Sequence, residues 1–519
     1  MFQYLKNKIA ATKLYTNKNE NSQVDEEEKS PLSTNILDNI VGLRSKYQNS
    51  ADFLVRDITI SNIKVNFIMI EGMVNLQTMS EMLLEPLLNQ KFSDEADGKE
   101  IYEFIHNRTI MAADMVDVFS YEEVFRFIMS GFVVILFDGL DKGIAFGMQG
   151  FNFRSISEPV SEVNERGSRE GFTEPLRINM SMVRRRIKSP TLKFELMTVG
   201  KTSKTDICLM YVTDKVSPHL LQGIRQKIKS IKLDVILTSG YLQPFLEGKP
   251  WSLFSDVGIS ERPDVVAAKI FEGRVAILVD GTPYALIVPY LFSENFQSLD
   301  DYAHKVYFAS FIRIIKYFSF FITILLPGLY VGVATFHPEL LPHALLFNIA
   351  AAEEITPFPL FFEALIIHFL YEIMREAGLR LPRPIGHAVS IAGAIVIGDA
   401  AVTAGLIGAP MVFIIGLTAI SAFVIPSLYE PIAILRIGFI ILGGMMGLYG
   451  IALGFIVVLV NICSLRNFGI PYTSPIAPLS KDGIKDTFLR KSFQSMQEED
   501  FKIQNLSGAH INDGKEEPR

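Results

Sequence analysis

Charge thins out along this chain in a way that divides it in two. From Met1 to about Asp300 charged residues recur every few positions and the apolar runs are of strand or helix length. Beyond Arg313 four tracts are almost free of charge: Tyr317 to Phe336, Ile385 to Ile407 (interrupted by Asp399), Ala409 to Tyr429, and Ile437 to Leu465. A helix needs about 20 predominantly apolar residues to cross a hydrocarbon core, so these tracts are predicted membrane spans. A fifth tract, Phe358 to Met374, is shorter and carries Glu363, His368 and Glu372, which predicts a lined, re-entrant or tilted segment. Lys305, Arg313 and Lys316 flank the first span, and Arg466, Lys481, Lys485, Arg490 and Lys491 follow the last. Both flanks read as cytoplasmic by the positive-inside rule. Four crossings satisfy both; five would expel the basic tail.

The first half repeats itself. Gly131-Phe-Val-Val-Ile-Leu-Phe-Asp138-Gly139 and Gly273-Arg-Val-Ala-Ile-Leu-Val-Asp280-Gly281 are apolar strands ending in Asp-Gly, a strong hairpin signal. The same offset pairs Val65, Phe67 and Val74 with Ile207, Leu209 and Val216. Two related α/β subdomains are predicted, ahead of an α-helical multi-pass transmembrane domain. The boundaries read as a disordered leader at 1–50, subdomains at 51–150 and 191–300 joined by a charged linker at 151–190, the helical domain at 301–465, and a cytoplasmic tail at 466–519. Within the linker, Arg184, Arg185 and Arg186 form a basic patch interleaved with glutamates, which predicts salt bridges ahead of lipid binding.

Composition excludes several classes of function. The 49 Lys+Arg against 56 Asp+Glu leave a net charge of −7 and no basic excess for nucleic acid. Two cysteines cannot build a disulfide framework or a zinc cluster. Gly200-Lys201-Thr202 imitates the end of a phosphate-binding loop, but Glu195 stands where the pattern needs glycine. No catalytic constellation, metal site or cofactor motif emerges, and a non-enzymatic protein is expected.

Candidate chemistry therefore lies among the spans, where an ionisable group is costly enough to suggest a bundle interior or a water path. Glu363, His368, Glu372 and Asp399 are the pore or gating candidates. Glu363 and Glu372 lie about 180° apart on a regular helix. One is free to line water while the other pairs with Arg375 or with an arginine of a neighbouring subunit. Asp399, among Gly393, Ala394, Gly398 and Ala400, reads as a buried partner between close-packed helices. Pro357 and Pro359 bound the polar tract as rigid breaks.

The stretches Glu158 to Ile187, Tyr307 to Pro342, Pro357 to Val402 and Leu417 to Pro426 resemble the A subunits of spore germination nutrient receptors, the GerA family. The resemblance implies a multi-pass protein of the inner membrane of a bacterial spore, with a cytoplasmic two-part N-terminal domain. It also implies a permease-like B subunit and a lipoprotein C subunit as partners, and a homo-oligomeric ring, a pentamer, that forms a nutrient-gated cation channel in membrane lipid. Glu363, Glu372, Arg375, Glu376 and Arg380 fall on charged positions of the family pattern. His368 stands where that pattern has an acid, and Asp399 where it has glutamine. A secondary transporter or a membrane scaffold for partner subunits are the rival readings.

Overall fold

The computed structural model describes residues 30–60, 63–90, 92, 97–108, 115–148, 150, 162, 164, 166–380, 398–480, 483–496 and 502–510. They fall into two units, one of 1–154 with 180–195 and one of 155–179 with 196–519. In the first unit, helix α1 (Ile36–Lys46) precedes strands β1 (Phe53–Ile60) and β2 (Ile63–Ile70). Helix α2 (Gly98–Arg108), strand β3 (Met115–Val118), helix α3 (Tyr121–Ile128) and strands β4 (Phe132–Phe137) and β5 (Gly143–Gly147) complete it. The sheet order is β1-β2-β4-β5-β3, antiparallel throughout. β4 reads Phe-Val-Val-Ile-Leu-Phe and is buried at every position, as a central strand covered on both faces must be.

Of the leader expected at 1–50, the segment Ile36–Lys46 is a helix. Ile36, Ile40 and Leu43 of α1 lie in the core with Ile68, Val124 and Val134, because the helical spacing of those three residues gives the segment an apolar face. The charged linker is likewise partly structured: Leu176–Arg186 forms helix α4. Arg184 is fully buried, with Nε donating to Asp52 Oδ2 at 2.8 Å and Nη2 to Asp52 Oδ1 and Ser50 Oγ, each at 3.0 Å. Its partner is thus Asp52, in place of a glutamate of the stretch.

The second unit repeats the plan with β6 (Leu192–Val199), β7 (Thr205–Val212), α5 (Pro218–Ser230), β8 (Gly258–Ser260), α6 (Pro263–Phe271), β9 (Val275–Val279) and β10 (Ala285–Val288). The order β6-β7-β9-β10-β8 is that of the first sheet, strand for strand. The detail repeats too. The Asp138 amide donates to the Lys64 carbonyl and the Asp280 amide to the Asp206 carbonyl, both at 3.0 Å. Asp138 Oδ1 accepts from the Ile36 amide at 3.3 Å, and Asp280 Oδ1 from the Leu176 amide at 2.9 Å. Each Asp-Gly aspartate therefore ends a strand and holds the first turn of the helix that precedes its sheet, where amide protons lack helical partners.

The described part of the tail belongs to this unit and is packed. Ile503 and Leu506 are buried in the core of the second sheet with Ile207, Val275 and Leu286, and the Ile503 amide donates to the Glu272 carbonyl at 2.9 Å.

The helical domain follows: α7 (Val306–Phe336), α8 (His343–Ile355), α9 (Leu360–Arg380), α10 (Ala409–Phe423) and α11 (Tyr429–Ser464). Among the described residues two helices are long and apolar enough to cross a membrane, Val306–Phe336 and Pro426–Ser464; α8 and α9, bent by 77°, make a third if they are one span. The tract from 409 to 429 is cut into a 15-residue helix and a turn, shorter than a crossing needs. Most of the tract from Ile385 to Ile407 lies outside the described residues.

The tract expected as one last span is instead a hairpin. Gly447 takes φ 58° and ψ −142°, a conformation open to glycine and foreign to a helix. A methyl placed on Gly454 would fall 2.5 Å from Leu442 Cδ1 and 3.1 Å from Phe439 Cε1, atoms that a straight helix would carry more than about 15 Å away. α11 therefore doubles back into two arms of about 26 Å each at 1.5 Å per residue. The first arm crosses α7 at contact distance: a methyl on Gly328 would lie 2.4 Å from the Phe439 carbonyl oxygen, and one on Gly443 2.4 Å from that of Gly328. Small residues permit this approach of backbones.

Gly328→Ala is therefore expected to lower stability by about 1–3 kcal/mol through overpacking. Gly416→Ala on α10, with nothing within 4 Å of the added methyl, should be neutral. Thermal unfolding of the two variants in the same detergent compares them, and equal melting would contradict the close crossing.

Candidate functional site

Five side chains of the helical domain meet between α9 and the first arm of α11. Glu372 accepts hydrogen bonds from Tyr429 Oη and from Arg436 Nη2. The Arg436 guanidinium lies 5.2 Å from the Tyr371 ring centroid and is almost fully buried. One turn back on α9, His368 is buried with Nδ1 against the Ala364 carbonyl at 2.8 Å, and Arg436 is the charge that acts on it. Arg436 Nε and Nη1, His368 Nε2 and Tyr371 Oη are all buried without a hydrogen-bond partner. Each such group costs on the order of 1–3 kcal/mol if it stays dry, so four in one cluster mark a place for water or a solute.

Glu363 is used differently. Its two carboxylate oxygens accept from the Gly408 amide at 3.3 and 3.4 Å, which ties α9 to the N-terminus of α10, where a negative charge is favoured. Glu372 is paired as one sequence reading had it, but with Arg436; Arg375 instead lies over the Tyr429 ring. Glu376 and Arg380 form an exposed pair one turn apart, Nη2 to Oε1 at 2.6 Å. Pro357 and Pro359 sit in the sharp turn between α8 and α9, as breaks should. Asp399, expected as a buried partner, is exposed in this chain.

Sequence reasoning passed over Arg436. It lies in the gap between two uncharged tracts, Ala409 to Tyr429 and Ile437 to Leu465. An isolated arginine between apolar runs, with Tyr429 and Glu430 one to two turns before it, was the available signal.

A second polar assembly joins this domain to the second sheet and the tail. Arg313 of α7 is fully buried; Nε donates to Asp301 Oδ2 at 2.7 Å and Nη1 to Asp486 Oδ1 at 3.1 Å. Tyr302 Oη donates to Asp486 Oδ2 at 2.5 Å, and Arg490 Nη1 to the His304 carbonyl at 3.0 Å. Just beyond α11, Asn467 Nδ2 donates to Asp256 Oδ1 at 2.9 Å and to the Leu246 carbonyl at 3.1 Å. The Gly248 amide also donates to Asp256, at 3.1 Å to Oδ2. Burial pushes the Asp256 carboxyl up from its ordinary 3.8 to about 7, against the opposing bond from Gly248. Glu294, between β10 and α7, also suffers burial, yet Arg274 and Lys269 outweigh it and hold its carboxyl below the usual range. Among the described residues no three His, Cys, Asp or Glu side chains are placed to share a metal ion.

With this geometry fixed, the chain can be compared with known proteins. The family described as Bacillus/Clostridium GerA spore germination protein matches residues 42–501. The chain belongs to this family. It is similar to spore germination protein KA of Bacillus subtilis (strain 168), 41% identical over 464 residues, which are 88% of this chain and 85% of that one. The membrane protein YfkQ of the same organism is 39% identical over 477 residues, 91% of this chain and 92% of its own. The N-terminal domain of the A subunit of the Bacillus megaterium spore germinant receptor GerK3, a crystal structure, is 30% identical and covers 51% of this chain and 99% of its own, with a TM-score of 0.42. Membership assigns the chain a role in spore germination. The Arg436 cluster and the tail junction both fall within the matched residues.

The raised carboxyl gives the junction a pH dependence of definite sign. Between about 3.8 and about 7 the folded chain keeps a proton on Asp256 that the unfolded chain releases, so stability falls as pH rises through that window. Thermal melting of the protein across the window should show the decline, and Asp256→Asn should reduce it, the remainder belonging to Glu162, whose carboxyl burial also pushes up to about 7. A variant that keeps the full decline would show that Asp256 does not contribute to it.

Proposed function

We propose that this chain is the membrane subunit of a spore germinant receptor, and that its helical domain forms an oligomeric, nutrient-gated ion path. The observation that carries the reading is the cluster of buried, unpartnered polar atoms on Arg436, His368 and Tyr371 beside Glu372. In a bilayer such a cluster is costly unless it meets water, and intramembrane charges of this kind mark ion pathways. The carboxylate and guanidinium would set which ions pass, and the tyrosine and imidazole would exchange hydrogen bonds with the hydration shell.

The topology is that of a multi-pass protein with an even number of crossings. The tail's Asp486 meets Arg313 at the start of α7, so the chain returns to the face it left. We take that face as cytoplasmic, from the basic flanks of the first and last helices, and the membrane as the inner membrane of the spore. The germinant receptor named for the GerK3 relative has an A subunit. By extension, permease-like B and lipoprotein C subunits are the partners of this chain, and several copies close a ring, a pentamer, around the path. It catalyses no covalent reaction. A partner that binds nutrient would open the path by favouring one of two arrangements of the α9 and α11 contact, and the second arm of the hairpin is bonded to the loop of the α/β domain.

Planar bilayers carrying the purified protein test the reading. Discrete current steps are expected under a cation gradient, with cation-over-anion selectivity falling several-fold in Glu372→Gln, which leaves Arg436 as the uncompensated charge. Inserted protein that stays silent with and without its partner subunits, or a selectivity untouched by the substitution, would overturn it.

A further inference from the structure

The chain contains a single tryptophan, Trp251, and its surroundings give it a definite place. It is 99% exposed, and Leu253 beside it is also exposed. The loop that carries them is not loose. Three residues on, Phe254 is buried in the cluster that holds Phe320 and Ile324 of α7 with Ile432, Ile451 and Ile462 of α11. Phe254 packs edge to face on Phe292 at 6.0 Å, and Phe292 on Phe320 at 5.7 Å. On either side of Trp251 the loop bonds the last turn of α11: Lys249 Nζ donates to Ser464 Oγ at 3.2 Å and Ser252 Oγ to Asn461 Oδ1 at 3.1 Å. A rigid loop that holds a fully exposed indole needs a reason for doing so.

The helices supply its depth. Phe321 of α7 and Phe455 of the second arm of α11 are in ring contact at 6.3 Å. From that level, about 12 Å along either helix at 1.5 Å per residue leads to Arg313 on α7 and Cys463 on α11. Lys316 and Arg313 are the charges α7 brings nearest to that level, paired with Asp301 and Asp486, so the apolar layer ends between them. Asn461 and Ser464, to which the loop is bonded, lie at the same level. Trp251 thus stands where a bilayer changes from acyl chain to headgroup, with a lysine two residues before it. An indole is amphipathic and favours that layer, and lysine favours the phosphate zone outside it.

We infer that the Lys249 to Leu253 loop of the second α/β domain is a lipid anchor: the Trp251 indole inserts at the headgroup boundary beside the end of α11. This rests on the membrane reading of the helical domain and adds to it a docking surface on the α/β domain itself. The occupant is lipid because the loop continues the outer surface of a helix whose neighbouring residues Val457 and Val460 are exposed and apolar. The anchor would fix the height of the domain against the bilayer at the point where it grips the hairpin.

The sole tryptophan is its own probe. The full-length protein is reconstituted in phosphatidylcholine and phosphatidylglycerol nanodiscs, and separately with lipids brominated high or low on the acyl chain, exciting tryptophan selectively. Emission displaced to shorter wavelength than that of an indole in water, and quenched more by shallow than by deep bromines, is the expected result. Trp251→Phe, which abolishes the signal, should raise the exchange rate of backbone amides in the loop. Water-like emission insensitive to bromine, from protein that remains inserted, would overturn the anchor and leave the membrane reading standing. Displaced emission without bromine quenching would overturn it too, since a second copy or a partner subunit would then cover the indole. Protein that does not incorporate into the discs at all would remove the membrane reading on which the anchor rests.

Discussion

Arg313 is the constraint on which the arrangement of the second unit depends. A guanidinium buried at the base of α7 cannot be left unpaired, since removing a partner from a buried ion pair costs about 3–5 kcal/mol. Its partners come from two places far apart in sequence, Asp301 just before the helix and Asp486 in the tail. Satisfying it brings the segment after α11 back beside the start of α7. Once the tail is fixed there, α11 must end where it can reach the second sheet, and the bond from Asn467 to Asp256 is how it does so. The fold-back at Gly447 allows a segment that begins at the same face to end there.

This gives the helical domain a mechanical character. The first arm of α11 carries Arg436 and contacts α9 through Glu372; the second carries Asn461 and Ser464 and is bonded to the loop of the α/β domain. The two arms share one glycine. A change of pairing at Glu372 and a change of the loop at Lys249 are therefore exerted on one element of two rigid arms, which is the kind of bistable part that couples distant sites. Glu363 holds the opposite end, by fixing the first turn of α10 to α9.

Much of this was legible in the sequence. The offset between the two Asp-Gly strands announced two copies of one sheet, because both are continuous apolar runs ending in the same turn signal. The structure adds that Asp138 and Asp280 also hold helix N-termini, which spacing alone does not reveal. The polar tract with Glu363, His368 and Glu372 was found because charge is rare among spans. The partner of Glu372 was not, since pairing across helices depends on which faces meet, and the fold-back that brings Arg436 alongside α9 leaves only a run of glycines as its trace. Apolar character alone reads the 437 to 465 tract as one span, tightly packed or bent at its glycines. The segment from 36 to 46 was misread for a related reason: polar composition masks a few apolar residues at helical spacing, Ile36, Ile40 and Leu43.

The central claim is that α11 turns back on itself within the membrane domain. Cys463 is exposed and Cys208 buried, so a single added cysteine at Glu430 provides a pair of spin-label sites at the two ends of the element. Pulsed electron spin resonance on the reconstituted protein should give a separation within about two helix diameters, ~20 Å, whereas a continuous helix would hold the labels about 50 Å apart. The longer distance would contradict the hairpin and, with it, the account of how the helices and the α/β domain are joined.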